Sequence, residues 1–136
     1  RTREVTARLA ACGVLVSHFI DPDRRQIDAA RESGARYIEL HTGSYANARW
    51  AEKAAEYRKL VDAAGYAASI GLGVNAGHGL DYHNVQPVAA IPEVEELNIG
   101  HSIISRAIFS GLAVAVREMA DLIETAGESR DWPWTV

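Results

Sequence analysis

Histidine, glutamate and glycine recur in the sequence where four short apolar runs end. The residues at these ends are, in chain order, Asp21; Glu39, His41, Thr42 and Gly43; Asn75, Gly77, His78 and Gly79; and Asn98, Gly100, His101 and Ser102. Imidazole groups exchange protons near neutral pH, and a carboxylate stabilises positive charge that develops beside it. The pattern therefore predicts acid–base chemistry at these ends.

Two of the four ends combine glycine with the start of a predicted helix. Residues 100–102 (Gly-His-Ser) lead into a helical pattern over 103–109, and residues 77–79 (Gly-His-Gly) lead into one that begins near Asp81. Backbone N–H groups at a helix N-terminus can bind phosphate without a cation. Tight turns are the alternative interpretation, since glycine is common there for conformational reasons.

No Lys or Arg stands at any of the four ends. An enzyme that forms a Schiff base with its substrate needs a lysine amine, so that chemistry is not expected here. Metal binding competes with proton transfer as the role of the acidic and histidine side chains, and spacing alone does not separate the two. The candidate metal ligands are Glu39, His41, His78 and His101.

The four apolar runs are predicted β-strands, and each is followed by a turn and a helical pattern. They span residues 14–20, 37–41, 73–76 and 97–99. A parallel neighbour can be reached only through a crossover, so strands that alternate with helices predict an α/β protein with a parallel sheet. This sheet is either a small open one, with a ligand site where the strand order reverses, or half of an eight-stranded barrel.

Capping residues predict the helix boundaries. Asp21 and Pro22 predict the start of the first crossover helix, and Gly34 predicts its end. Ser44 is predicted to cap one long helix. The predicted inner face of that helix carries Trp50, Ala54, Tyr57, Val61 and Ala68.

Composition limits the class of protein. The chain has 136 residues, against roughly 250 in a closed eight-stranded α/β barrel. Apolar residues make up 48% and charged residues 24%, as in ordinary globular domains. The net charge is −4 and the basic residues are scattered, so neither nucleic acid nor a membrane is an expected partner. Cys12 is the single cysteine, which excludes an internal disulfide and fits a cytoplasmic location.

Five motifs resemble those of the pyridoxine 5′-phosphate synthase family. They are Phe-Ile-Asp-Pro at 19–22, Tyr-Ile-Glu-Leu-His-Thr-Gly at 37–43, Val-Asn-Ala-Gly-His-Gly-Leu at 74–80, Tyr-His-Asn-Val at 82–85 and Glu-Leu-Asn-Ile-Gly-His-Ser-Ile-Ile at 96–104. The resemblance implies a (β/α)8 TIM barrel, of which this chain supplies strands five to eight. Residues 1–126 would be the second half of that domain and 127–136 a C-terminal tail, with the first half upstream.

The resemblance also implies a function. The family condenses 1-deoxy-D-xylulose 5-phosphate with 3-amino-2-oxopropyl phosphate and releases pyridoxine 5′-phosphate, inorganic phosphate and water. By position in the motifs, His78 would be the proton donor, and Glu39 would stabilise a charged intermediate. Gly79, Gly100 and His101 would bind substrate or product phosphate. The resemblance implies no metal and no other cofactor, small phosphorylated molecules as partners, and a homo-oligomer.

Further expectations and two alternatives accompany this assignment. His41 shares a strand face with Glu39 and is expected to hydrogen-bond it. His18 is expected to be a buried, hydrogen-bonded histidine. The family's proton acceptors, a histidine and a glutamate on early strands, have no counterpart here, so the isolated chain is expected to be inactive.

Two alternative functions stand beside this assignment. One alternative is a metal-dependent barrel lyase or isomerase acting on a sugar phosphate. The other is a non-catalytic phosphate-binding half-barrel that requires a partner half.

Overall fold

The computed structural model describes residues 1–128, and residues 129–136, most of the expected tail, lie outside the described part. Helices and strands alternate along the chain. Their bounds are α1 Thr2–Ala11, β1 Ser17–Ile20, α2 Arg24–Glu32, β2 Tyr37–His41, α3 Gly43–Asn47, α4 Trp50–Ser69, β3 Gly73–Gly77, α5 Val85–Ala89, β4 Val94–Asn98, α6 His101–Ser110 and α7 Leu112–Glu124, followed by a 3₁₀ turn, Thr125–Glu128.

The four strands form one parallel sheet in the order β1-β2-β3-β4. Each strand pairs with its neighbour in sequence, so the order does not reverse within the described residues. This excludes the open sheet with a strand-order switch and agrees with four consecutive strands of a barrel. The predicted α/β class, with four βα units of a (β/α)8 barrel, is confirmed.

The central strands separate a core face from a second face. Ile38, Leu40, Val74 and Ala76 are buried to within 1% of complete coverage. Their alternating neighbours in β2 and β3 are only half-buried, except for Gly77 at the end of β3, as the two-residue period of a strand requires. Glu39 belongs to this second face, as does His41 two residues later.

The core lies between the sheet and helices α2, α4 and α5. From α4 it receives one large residue and three small ones, Leu60, Ala63, Ala64 and Ala67. A stripe of alanine lets a helix axis approach a sheet closely, because no long side chain separates the two backbones. The strands and the helix that follows each of them are therefore held in a fixed relation, which positions the strand ends.

Two predicted helix boundaries are wrong. The long helix does not begin at Ser44, because Ala48 and Arg49 adopt extended backbone between α3 and α4. The predicted inner face of this helix is also wrong, because Trp50 is 66% exposed, Ala68 is exposed, and Ala54, Tyr57 and Val61 are only half-buried. In α2 the N-cap is Asp23 rather than Asp21, since the Asp23 side chain accepts a hydrogen bond of 3.2 Å from the Gln26 N–H.

His18 on β1 is half-buried rather than fully buried, and its Nε2 lies 3.1 Å from the Thr6 hydroxyl of α1. The expected hydrogen bond is therefore present, whereas the expected degree of burial is not. Within residues 1–128, no helix is long and apolar enough to cross a membrane.

Replacing Ile38 by alanine should destabilise the fold, because it removes a buried side chain from the hydrophobic core. Ile38 is completely buried against α4 and its neighbouring strands, so Ile38→Ala is expected to lower the free energy of unfolding by about 2–5 kcal/mol. Ile108, which is 77% exposed, provides the matched control, and Ile108→Ala is expected to change it by less than about 0.5 kcal/mol. Urea denaturation of both variants would measure this difference, and equal effects would contradict the placement of the core.

Candidate active site

A cavity of about 910 Å³ opens at the carboxyl edge of the sheet. All five residues predicted for the site, Glu39, His78, Gly79, Gly100 and His101, line it. They come from three different strand ends, so the parallel register brings together positions up to 62 residues apart in sequence. The cavity is also lined by Phe19, Asn47, Leu80, Asp81, Tyr82, His83, Asn98, Ile99, Ser102 and Ser105.

The Glu39 carboxylate is oriented by a residue two strands away. The side-chain amide of Asn98, at the end of β4, donates a hydrogen bond of 2.9 Å to Glu39 Oε2. The contact passes over Gly77 at the end of β3, where any Cβ would collide with Glu39 Oε1 and lie 2.8 Å from the Asn98 carbonyl oxygen. Gly77 therefore leaves the space in which the carboxylate and the amide meet.

His78 has an unusual backbone conformation. Its φ angle is +78°, and it is the one non-glycine residue with positive φ in the described part of the chain. A side chain in this left-handed region is uncommon and carries strain, which proteins tolerate mainly at functional positions. Gly79, with φ +80°, continues the same turn. This backbone directs the His78 imidazole into the cavity rather than along the strand.

Thr42, at the end of β2, contacts the backbone of this turn. It is completely buried, and its hydroxyl oxygen lies 2.7 Å from the Gly77 carbonyl oxygen and 2.6 Å from that of His78. Its backbone N–H also donates a hydrogen bond of 2.8 Å to the Gly77 carbonyl. The end of β2 is thereby fixed to the strained turn that follows β3.

His41 does not form the expected hydrogen bond with Glu39. Its Nδ1 instead lies 3.4 Å from Asp21 Oδ1, at the end of β1. The His41 ring also contacts His78, with ring centroids 4.7 Å apart. Glu39 and His41 share the same strand face, as predicted, but their side chains make different contacts on that face.

The two predicted anion sites have different outcomes. Helix α6 begins at His101 with Gly100 as N-cap, and no side chain of the described residues caps it. The Ser102 hydroxyl donates a hydrogen bond of 2.8 Å to the Leu80 carbonyl, which fixes this N-terminus beside the loop after β3. The first amides of α6 therefore border the cavity and are available to an anion.

The predicted helix start near Asp81, directly after residues 77–79, is wrong. A turn follows these residues, and α5, only five residues long, starts at Val85. Asp81 Oδ1 accepts hydrogen bonds of 2.8 Å from the His83 N–H and 3.0 Å from the Asn84 N–H. The His83 and Asn84 N–H groups are therefore already paired and are not available to an anion.

The cavity walls carry no positive side chain among the described residues, because neither Lys nor Arg lines them. Lys53 is nearby, but its Nζ lies 4.4 Å from the centre of the Tyr45 ring, behind the site. Burial lowers the pKa of Lys53, and the opposing effect of Asp81 is smaller. Burial also disfavours the charged form of the Tyr45 hydroxyl and therefore raises its pKa. That hydroxyl donates a hydrogen bond of 2.9 Å to the Asn84 carbonyl.

The four candidate metal ligands are not arranged as a metal site. Within residues 1–128, no group of three His, Cys, Asp or Glu side chains could hold one metal ion. Glu39 is engaged by Asn98 and His41 by Asp21. The metal-dependent alternative therefore has no ligand set in the described part of the chain.

Comparison with known proteins agrees with this geometry. The family model of the pyridoxal phosphate biosynthesis protein PdxJ matches residues 1–125. The chain belongs to the PdxJ family. The matched range includes every strand and all the lining residues of the cavity.

Curated relatives from the PdxJ family carry the name pyridoxine 5′-phosphate synthase. The synthases of three Coxiella burnetii strains (Dugway 5J108-111, RSA 331 and RSA 493) are each 58% identical to this chain over 125 residues. The aligned region covers 91% of this chain and 52% of each relative. The chain therefore spans about half the length of the PdxJ proteins that it matches.

A solved structure of a more distant protein has the same fold. The crystal structure of the Amycolatopsis orientalis BexX/CysO complex aligns with 99% of this chain and 53% of the compared chain, with a TM-score of 0.60 and 21% sequence identity. At this identity the likeness shows the fold alone. As with the curated relatives, the chain matches about half of the compared protein.

Sequence reasoning missed several contacts within the site. The sequence places Asn98 among the strand-end residues, but its bond to Glu39 joins two strands that are not adjacent, and no local pattern predicts such a bond. Thr42 also stands among the strand-end residues, and the sequence assigns it no role. The signal that could have found the first contact is Gly77, because a glycine at a strand end between two longer polar side chains leaves room for them to meet.

Removing the Thr42 hydroxyl should release the His78 turn. Thr42→Val keeps the shape of the side chain but removes the buried hydroxyl that contacts the Gly77 and His78 carbonyl oxygens, so the free energy of unfolding is expected to fall by about 1–3 kcal/mol. Thr42→Ser retains the hydroxyl and is expected to lose clearly less. Thermal or urea denaturation of both variants would measure the two effects. A Thr42→Ser variant as unstable as Thr42→Val would show that packing rather than the hydroxyl matters.

Proposed function

We propose that this chain is the second half of a pyridoxine 5′-phosphate synthase, which condenses 1-deoxy-D-xylulose 5-phosphate with 3-amino-2-oxopropyl phosphate. The observation that carries the proposal is one cavity with a carboxylate, Glu39, an imidazole, His78, and the uncapped N-terminus of α6 on its walls. Family membership over residues 1–125 supports the same reaction. The products are pyridoxine 5′-phosphate, inorganic phosphate and water.

The N-terminus of α6 binds a substrate or product phosphate in this proposal. Gly100 and His101 offer backbone N–H groups, and Gly79 gives a close approach from the opposite loop. A phosphate at a helix N-terminus gains from aligned amide dipoles and from unpaired N–H donors. The absence of Lys and Arg from the described walls of the cavity is therefore compatible with phosphate binding.

His78 and Glu39 supply proton transfer and charge stabilisation. The His78 imidazole reaches the cavity from a turn that Thr42 fixes, and it donates a proton to the reacting substrate. The Glu39 carboxylate, held by Asn98, stabilises positive charge that develops on the intermediate. The amine of the amino-ketone substrate forms the imine itself, so the reaction requires no lysine from the protein.

The remaining assignments follow from the half-barrel. Residues 1–126 form the second half of the synthase domain, and 127–136 form a C-terminal tail. Strands β1 and β4 each pair on one side only within the described residues, and an unpaired parallel edge requires a covering strand. The first half of the barrel covers both edges and brings the proton acceptors. The complete enzyme is a cytoplasmic homo-oligomer that uses no cofactor.

The donor assignment can be tested in the full-length synthase that contains this chain. His78→Ala is expected to lower kcat by about 100-fold or more, because general acid catalysis contributes about 10²–10⁴-fold. Glu39→Gln, which keeps the shape but not the charge, is expected to lower kcat while KM changes less. His18→Gln serves as the control, since His18 lies outside the cavity and glutamine can still bond Thr6. Unchanged turnover in His78→Ala would contradict the proposal.

The phosphate site can be tested through a single backbone donor. His101→Pro removes the first N–H of α6 at a helix position where proline is well tolerated, whereas His101→Ala removes the side chain alone. Inorganic phosphate titrated into the full-length protein should bind His101→Ala more tightly than His101→Pro, as measured by calorimetry. Circular dichroism would verify that both variants keep their helix content. Equal phosphate affinity in both variants would exclude this N–H as a ligand.

A further inference from the structure

We infer that Asp21 and His41 act as a positioning pair that holds the His78 imidazole in its productive orientation. This inference rests on the proposed function, because it assigns a task to two residues beside the proposed proton donor. Neither residue lines the cavity among the described residues, whereas His78 does. The pair therefore acts through His78 rather than on substrate.

Three aromatic rings form a cluster at the end of β1, β2 and β3. The His41 and His78 ring centroids are 4.7 Å apart with their planes tilted by 40°. Phe19 meets the His41 ring edge-on at 5.2 Å and lies 6.2 Å from His78. Of these three, Phe19 and His78 face the cavity and His41 lies behind them. His41 is therefore the surface on which the His78 ring rests.

The His78 ring takes its nearer ring contact from His41, because the Thr42 bond holds the His78 backbone and not the ring. The Thr42 hydroxyl reaches the His78 carbonyl oxygen, 2.6 Å away, and does not touch the imidazole. A residue at φ +78° projects its side chain away from the path of the strand, and His78 is exposed. Packing against His41 limits the rotation that this exposure would otherwise permit.

Gly43 provides the space for the two imidazoles. A Cβ at this position would lie 2.8 Å from His41 Cε1, 2.9 Å from His41 Nε2 and 3.2 Å from His78 Cδ2. Gly43 is the first residue of α3, and its φ is not positive, so conformational freedom does not account for a glycine there. The glycine instead allows both rings to pack directly over the helix start.

Asp21 fixes the orientation of His41 from the opposite side. Asp21 Oδ1 lies 3.4 Å from His41 Nδ1. Its other oxygen, Oδ2, accepts a hydrogen bond of 3.3 Å from the Gln26 side-chain amide, and its backbone N–H donates one of 3.2 Å to Gln26 Oε1. A carboxylate held on one side of an imidazole favours the orientation that directs a ring N–H toward it. His41 is therefore set by α2 through Asp21.

Kinetics of the full-length synthase can test the positioning role. His41→Ala removes the support and is expected to lower kcat by about 10- to 100-fold while KM changes less than about twofold, since His41 is not among the residues that line the cavity. His41→Phe restores a ring of similar size and is expected to recover part of the lost kcat. His41→Ala with kcat unchanged would overturn the inference. Equal losses in His41→Ala and His41→Phe would also overturn it, because ring support would then not be the cause.

A second pair of variants tests the carboxylate. Asp21→Ala removes the contact with His41 Nδ1 and is expected to lower kcat by a smaller factor than His41→Ala does. Glu32→Gln is the matched control, because Glu32 forms an exposed ion pair with Arg3 and has a side-chain exposure of 69%, against 66% for Asp21. An effect of Asp21→Ala no larger than that of Glu32→Gln would remove Asp21 from the pair.

A third test needs no turnover. Gly43→Ala places a carbon between the two rings, and it should move the His78 ring resonances in the NMR spectrum of the full-length protein without substrate. Gly65→Ala, in the middle of α4 where an added Cβ meets nothing within 4 Å, should leave them in place. Unmoved His78 resonances in Gly43→Ala would contradict the ring contact itself.

The two proposals fail in different ways. If His78→Ala leaves turnover unchanged, the proposed function is wrong, whatever His41 does. If His78→Ala abolishes turnover but His41→Ala does not reduce it, the donor assignment stands and the positioning pair is wrong. Should His41→Ala fail to fold, the Asp21 and Gly43 variants still decide the question, because each alters the cluster without deleting a ring.

Discussion

The site depends on the buried hydroxyl of Thr42. It lies between two carbonyl oxygens of the loop after β3 and so fixes the end of β2 to the one left-handed non-glycine residue in the described chain. A buried carbonyl left without a donor is costly, so the bond stabilises a backbone that would otherwise relax. Because β2 and β3 are already in parallel register, this hydroxyl fixes the backbone from which the His78 side chain projects.

Two glycines shape the rest of the site, because neither carries a side chain. At Gly77 the absence of a Cβ lets the Glu39 carboxylate reach the Asn98 amide across a whole strand, and at Gly43 it lets two imidazoles rest on the start of a helix. Neither glycine has a positive φ. Their role is close approach, which differs from that of Gly79, where the turn itself requires the left-handed conformation.

Local patterns predicted the elements better than the contacts between them. Parallel strands alternating with helices follow from apolar runs and crossovers, and strand ends gather chemistry because the sheet is parallel. The break at Ala48 and Arg49 was not predicted, since no Gly or Pro marks it. The helix start near Asp81 was predicted wrongly because a turn precedes α5, and in that turn Asp81 itself caps the His83 and Asn84 amides. The Glu39–Asn98 bond joins non-adjacent strands, and no spacing rule reaches that far.

The absence of cationic side chains from the described cavity walls is chemically consistent with the proposed reaction. A lysine there would present a second primary amine beside a ketone substrate and would compete with the substrate's own amine for imine formation. Backbone amides at the start of α6 can hold phosphate without offering a nucleophile. Lys53 is turned onto the Tyr45 ring behind the site, and burial lowers its pKa there. In the proposed reaction, phosphate binding is thus separated from amine chemistry, and protons and charge are assigned to His78 and Glu39.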